Sequence, residues 1–338
     1  MSGCIDLDRK PTFLIITGLE SGAIALGGCV AVLTEDGVSA ELLARLDAVP
    51  ELADRSDVVV LSGGLTNQNL KVTTPAGVYV ARLSTPESSL LAIDRAHEHV
   101  NSVAAAQSGA APSVVAYVAE ASILVVDYVD GRTWDSADIL VPANAGRIAE
   151  VCHLLHAGPA FGNDFNMLLL QRHYLTIVQE RNLRLPDRYL EFTGHALAIE
   201  EALATRPVAA TPCNNDLLAA NFIDTGDRVW LIDYEYSGNN DPFFEIGNIW
   251  SEASGTPDDL ARLVTAYAGR SSRALTARAW LWGLMSKYGW TLWASIQDGT
   301  SELDFNFWEW GMEKYERVIA EFDSSNFGRA LEEVRQGD

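Results

Sequence analysis

A chain of 338 residues, 48% of them hydrophobic, is long enough for two lobes around one cleft and suits a soluble globular enzyme. The formal charge of −22 argues against a nucleic-acid surface or an anionic membrane as partner, because both would repel it, and suits a small cationic substrate. Acidity of this size also serves solubility alone, so charge by itself does not separate the two.

Residues 1–37 differ in character from the rest of the chain. The stretch 11–33 is apolar and glycine-rich but is interrupted by Glu20. A membrane span needs about 20 apolar residues, and a charge at its centre costs about 2.5 to 3.5 kcal/mol, so no stable insertion is expected. Asp6 and Asp8 offset Arg9 and Lys10, and no small-residue cleavage site comes after them, which argues against a signal peptide. We expect an extension of uncertain structure, then a helix over residues 38–46.

Leu61-Ser62-Gly63-Gly64-Leu65-Thr66-Asn67-Gln68-Asn69-Leu70-Lys71-Val72 reads as strand, glycine turn, strand. A glycine pair lets backbone approach phosphates, and Thr66, Asn67 and Asn69 offer short hydrogen-bonding side chains; an ordinary hairpin has the same pattern. The next strand, over residues 77–83, leaves one cation, Arg82, in an apolar run. A buried cation needs a carboxylate, and Glu98 in the next helical pattern is the candidate; a snorkelling arginine on an edge strand is the alternative.

A buried strand over residues 121–131 ends the β-rich part. Helical patterns then occupy 143–156, 167–182, 186–203, 257–268, 272–297 and 309–322, giving an α+β arrangement: a small β-rich N-lobe over residues 38–130 and a larger helical C-lobe over 131–338. The four cysteines, Cys4, Cys29, Cys152 and Cys213, form no C-x-x-C pair, as expected in a reducing cytoplasm. Cys152, His153 and His156 lie in an apolar helical pattern with no fourth ligand at motif spacing, so packing is favoured over zinc.

The most informative stretch is Cys213-Asn214-Asn215-Asp216-Leu217-Leu218-Ala219-Ala220-Asn221, with Leu231-Ile232-Asp233-Tyr234-Glu235 after it. An Asp with an Asn at i+5 lets one loop carry both a residue that orients an attacking hydroxyl and an oxygen ligand for magnesium, while Asp233 at the next strand end supplies a second ligand. Asp241-Pro242 then reads as a loop beyond that strand. Between residues 280 and 310 the chain is rich in tryptophan. Trp290 and Trp293, at i,i+3, can wall one side of a box. A quaternary ammonium donates no hydrogen bond and is held by ring faces, each contributing roughly 0.5 to 2 kcal/mol. Helical aromatics at this spacing also fill cores, the reading kept for Trp280, Trp282 and Trp308.

Gly63-Gly64-Leu65-Thr66-Asn67, Arg82, the helix with Glu98, the Asp216 to Asn221 loop and Asp233-Tyr234-Glu235-Tyr236 together resemble the choline/ethanolamine kinases, within the aminoglycoside phosphotransferase group of the protein-kinase-like fold. The resemblance implies a two-lobed fold, ATP as co-substrate and Mg2+. It makes Asp216 the catalytic base, Asn221 and Asp233 the metal ligands, Glu235 a carboxylate near the metals, and Arg82 with Glu98 the pair that holds phosphates. Backbone groups near Asp127 and Val129 would meet adenine. Trp310 would be the later aromatic of the amine pocket, with Tyr236 and Glu252 as further candidates. His156 would help fix the helix below the cleft.

One departure stands out: the family has His where this chain has Asn214. Asn can donate and accept hydrogen bonds but does not fill the imidazole volume. The expectation is a cytoplasmic, Mg2+- and ATP-dependent kinase of choline or ethanolamine. The alternatives are an aminoglycoside or other small-molecule phosphotransferase and a pseudokinase that binds nucleotide or amine.

Overall fold

The computed structural model describes residues 38–61, 66–84 and 90–338. The expectations for residues 1–37 and for Gly63 and Gly64 lie outside the described residues.

Helix α1 (Ala40–Leu46) opens on Ser39, whose hydroxyl accepts from the Leu42 amide. Strands β1 (Asp57–Leu61), β2 (Asn67–Thr74) and β3 (Gly77–Ser84) pair antiparallel in sequence. Helix α2 (Arg95–Ser108) comes next, its first amides capped by the Asp94 carboxylate and its end turned at Gly109, where φ is 82°. Strands β4 (Val114–Val118) and β5 (Ile123–Asp127) complete a sheet in the order β1-β2-β3-β5-β4. Alternation along β2 and β3 buries Leu70, Val72, Ala81 and Leu83, which pack with Ile123 and Val125 from β5 and with Leu46 and Leu52.

Beyond β5 come β6 (Arg132–Thr133), α3 (Ser136–Leu140), α4 (Asn144–His156), α5 (Met167–Glu180) and α6 (Thr193–Thr205). Next are four short strands: β7 (Thr211–Cys213), β8 (Phe222–Asp224), β9 (Val229–Leu231) and β10 (Gly238–Asn240). The chain ends in α7 (Pro242–Glu252), α8 (Pro257–Ala268), α9 (Arg273–Thr300), α10 (Phe307–Phe322) and α11 (Ser325–Gln336). With 28 residues, α9 is about 42 Å long. It runs through the centre of the helical lobe, packed by α5, α7, α10 and α11. A Cβ placed on Gly247 of α7 would lie 2.1 Å from the Ala279 carbonyl oxygen of α9, so only glycine lets these two backbones touch.

The β-rich then helical division matches the expected α+β arrangement. Three local expectations change. Asp241-Pro242 is a helix start and not a loop, with the Asp241 carboxylate accepting from the Phe243 amide and proline at the first helical position. The single helix expected over 186–203 is a 3-10 turn, Tyr189–Phe192, before α6, because Arg188 sits at φ 65° and breaks the run. Helix α11 adds an element that the sequence pattern did not signal. Among the described residues no helix is long and apolar enough to cross a membrane.

Candidate active site

The loop between β7 and β8 carries Asn214, Asn215, Asp216 and Asn221, and the chain after β9 carries Asp233. Asn215 and Asp233 both adopt left-handed backbone, φ 69° and 65°, which costs about 1 to 3 kcal/mol per residue and persists only when neighbours fix it. Those neighbours are present. The fully buried Glu245 of α7 accepts from the amides of Asn214 at 3.2 Å and Asn215 at 2.9 Å. The Asn215 side-chain amide donates to the carbonyls of Cys213, Tyr236 and Gly238. Asn214 donates to the carbonyls of Ile232 at 3.1 Å and Asp233 at 2.8 Å, and its own oxygen accepts from the Asp216 amide at 3.1 Å. Below, His156 Nδ1 meets the Tyr267 hydroxyl at 2.8 Å, and its Nε2 lies 3.6 Å from Cys213 Sγ and 3.7 Å from Glu245.

Asn221 donates to the Asp216 carbonyl at 2.7 Å, which leaves its oxygen as the group able to ligate a cation. The Asp216 carboxyl is held well above the usual carboxylate range, chiefly by desolvation and then by Asp233, Glu235 and Glu252, while Lys314 opposes the shift.

Facing this loop is a charge network that spans both lobes. Arg82 on β3 contacts Glu98 of α2 at 2.5 Å, is ion-paired with Asp233, and lies 3.9 Å from Glu235. Asn69 occupies the rung opposite Arg82 in the β2–β3 pair. Arg95 reaches Glu98 at 2.7 Å, Glu235 at 3.1 Å and the Asn67 side-chain oxygen at 2.9 Å. Thr66 and Asn67 each donate to Glu235 at 2.8 Å. The three carboxylates Glu98, Asp233 and Glu235 exceed the two guanidinium groups by one negative charge before Asp216 is counted. Carboxylate and carboxamide oxygens with an excess negative charge form a hard donor set that fits a magnesium ion.

The β5 end is more constrained than expected. The Asp127 amide donates to the Ser113 carbonyl at 2.9 Å and the Tyr128 amide to that of Val78 at 3.0 Å. At Asp127 only the carbonyl is left for a ligand; Val129 lies two residues further on.

The aromatic candidates come together beside Asp233-Tyr234-Glu235-Tyr236. Trp293 donates from its indole nitrogen to the Tyr236 hydroxyl at 2.9 Å, Tyr236 meets Trp290 edge-on at 4.9 Å, and Trp293 meets Trp310 at 5.5 Å. Glu252 ends α7 in an ion pair with Lys314 of α10. Trp282 instead donates to Asp241 at 2.7 Å, and Trp308 carries the Arg184 guanidinium 3.7 Å above its ring.

Three residues of this arrangement escape sequence reasoning: Arg95 as a second cation, Glu245 and Lys314. Arg95 was findable, since it stands one helical turn before Glu98.

A β-sheet lobe whose arginine–glutamate pair faces an Asp/Asn loop on a helical lobe is a two-lobed, kinase-like architecture. The profile of the phosphotransferase enzyme family matches residues 57–281, and the chain belongs to that family. The solved structure of a choline/ethanolamine kinase family protein from Mesorhizobium loti superposes with a TM-score of 0.78 at 29% identity, over 88% of this chain and 99% of that one. Ethanolamine kinase 2 of Mus musculus is 28% identical over 261 residues, 69% of this chain and 67% of that protein. Protein LicA of Haemophilus influenzae is 24% identical over 215 residues; the match spans 62% of this chain and 62% of the length of LicA.

Proposed function

We propose that the protein is an ATP- and magnesium-dependent kinase acting on the hydroxyl of a small amino-alcohol, choline or ethanolamine. The observation that carries this reading is that Asp216 lies within electrostatic reach of both Asp233 and Glu252, which belong to two unlike surroundings. On one side stand Arg82, Glu98 and Asp233, suited to a nucleotide's phosphates. On the other stand Trp290, Trp293, Trp310, Tyr236 and Glu252, suited to an ammonium. Relatives named as an ethanolamine kinase and as a choline/ethanolamine kinase family protein support the same substrate class.

In this reading Asp216 accepts a hydrogen bond from the acceptor hydroxyl and takes its proton as the new oxygen–phosphorus bond forms and the bond to the ADP oxygen breaks. Arg82, held by Glu98, orients phosphate oxygens, with Asn67 and Asn69 on the neighbouring strand β2 and Thr66 just before it. Carbonyl and amide groups around Asp127 and Val129 line the adenine edge. Asn221 and Asp233 would hold Mg2+, which when bound neutralises charge on the phosphates.

The reading is tested by ADP release with ATP and magnesium across choline, ethanolamine, thiamine and a small aminoglycoside panel. Turnover with one amino-alcohol supports it. Turnover with an aminoglycoside alone replaces it with the wider-pocket alternative, and nucleotide binding without turnover on any acceptor replaces it with the pseudokinase that Asn214 suggests.

A further inference from the structure

We propose, resting on the amino-alcohol reading above, that Lys314 occupies the ammonium seat of the acceptor pocket in the empty protein and that a cationic substrate binds by displacing it. Lys314 stands one helical turn after Trp310 on α10. Its Nζ lies 4.1 Å from the centre of the Trp310 ring and is ion-paired with Glu252. Both side chains are nearly buried, at 8% and 5% exposure. A ring face and a carboxylate are what a protein offers an ammonium ligand, and here the chain's own ammonium takes both.

The seat is not saturated. Glu252 Oε1 is buried without a hydrogen-bond partner, so the carboxylate keeps an oxygen free for a second cation or donor. The seat also adjoins the reaction centre, since Glu252 and Lys314 act on Asp216 in opposite directions. Trp293, edge-on to Trp310 and bonded to Tyr236, closes the same pocket.

Removing either charge of a buried pair leaves the other uncompensated, whereas exchanging one ammonium for another keeps the balance. A substrate cation added beside Lys314 would place two like charges in a low-dielectric pocket. A neutral alcohol cannot replace Lys314 as the counter-charge of Glu252. The internal lysine thus selects for cationic acceptors at the expense of affinity.

Tetramethylammonium, which has no hydroxyl and cannot react, reads the seat separately from catalysis. Calorimetric titration into the full chain, Lys314→Met and Lys314→Arg should show Lys314→Met binding about tenfold tighter than the unchanged protein, and Lys314→Arg close to it. In the unchanged protein, the Lys314 Cε proton signal, shifted upfield by the Trp310 ring, should move to an ordinary lysine position as the ligand saturates. That measurement decides the matter if Lys314→Met does not fold. Binding to Lys314→Met no tighter than to the unchanged protein, or a Lys314 signal that stays in place at saturation, would overturn the displacement alone. Absence of tetramethylammonium binding to every chain would overturn the displacement and, with it, choline as the acceptor.

Discussion

The side-chain amide of Asn214 donates to the Asp233 carbonyl at 2.8 Å, tying the loop that carries Asp216 to the strand end that carries Asp233. A second bond to Ile232 and the bond from the Asp216 amide make Asn214 a three-point clasp. It reaches by length and amide geometry what an imidazole would reach by volume, so the substitution is compatible with an ordered loop. Asn214→Ala should lower kcat by about a hundredfold through loss of positioning, with the fold retained. Steady-state kinetics with a matched far-ultraviolet circular dichroism spectrum checks this, and an unchanged kcat would remove the clasp from the account.

Glu245 is the counterpart of that clasp on the helical side. Glu245→Gln keeps the volume but turns an NH2 group toward one of the two backbone amides it now accepts from. A buried donor left without an acceptor costs about 1 to 3 kcal/mol, so urea unfolding should register a loss of that size. A midpoint equal to that of the unchanged protein would mean the amides find other partners.

Trp293 should act on the acceptor and not on ATP. Trp293→Ala removes a ring face and the bond to the Tyr236 hydroxyl, and is expected to raise KM for the amino-alcohol about tenfold or more while leaving KM for ATP near its original value. Equal changes in both constants would mark Trp293 as a packing residue only.

Lys287 on α9 gives the pH signature of stability. Its ammonium contacts Glu321 at 2.6 Å and lies 4.5 Å from the Trp250 ring, yet burial pushes its pKa down to about 8 from 10.5. Between those values the unfolded chain holds the proton and the folded protein does not, so stability rises with pH over that window. Below about pH 8 the buried charge is present in full, at a cost of about 3 kcal/mol. Lys287→Met should therefore exceed the unchanged protein in stability most at pH 7 and less at pH 10. Urea unfolding at both values checks this; a gap independent of pH contradicts it.

Much of the fold was legible because its pattern is local. Alternation in β2 and β3 and the periodicity of α4, α5, α8, α9 and α10 are carried by neighbouring residues. The pairing of Arg82 with Glu98 was legible for a different reason: a cation in an apolar strand has few ways to be satisfied. The start of α7 was misread because Asp-Pro serves turns and helix starts alike. Glu245 left no trace because it accepts from backbone amides, which any sequence supplies. Lys314 was hidden because one lysine on an amphipathic helix looks like a solvated charge until α7 brings Glu252 against it.

The central claim is that Asp216 activates a hydroxyl for attack on ATP. The most direct measurement is acceptor-dependent ADP release by Asp216→Asn beside the unchanged protein, with ATP binding to both measured by calorimetry. Loss of turnover by about a thousandfold or more with ATP affinity preserved is the expected result. Full turnover by Asp216→Asn would contradict the account.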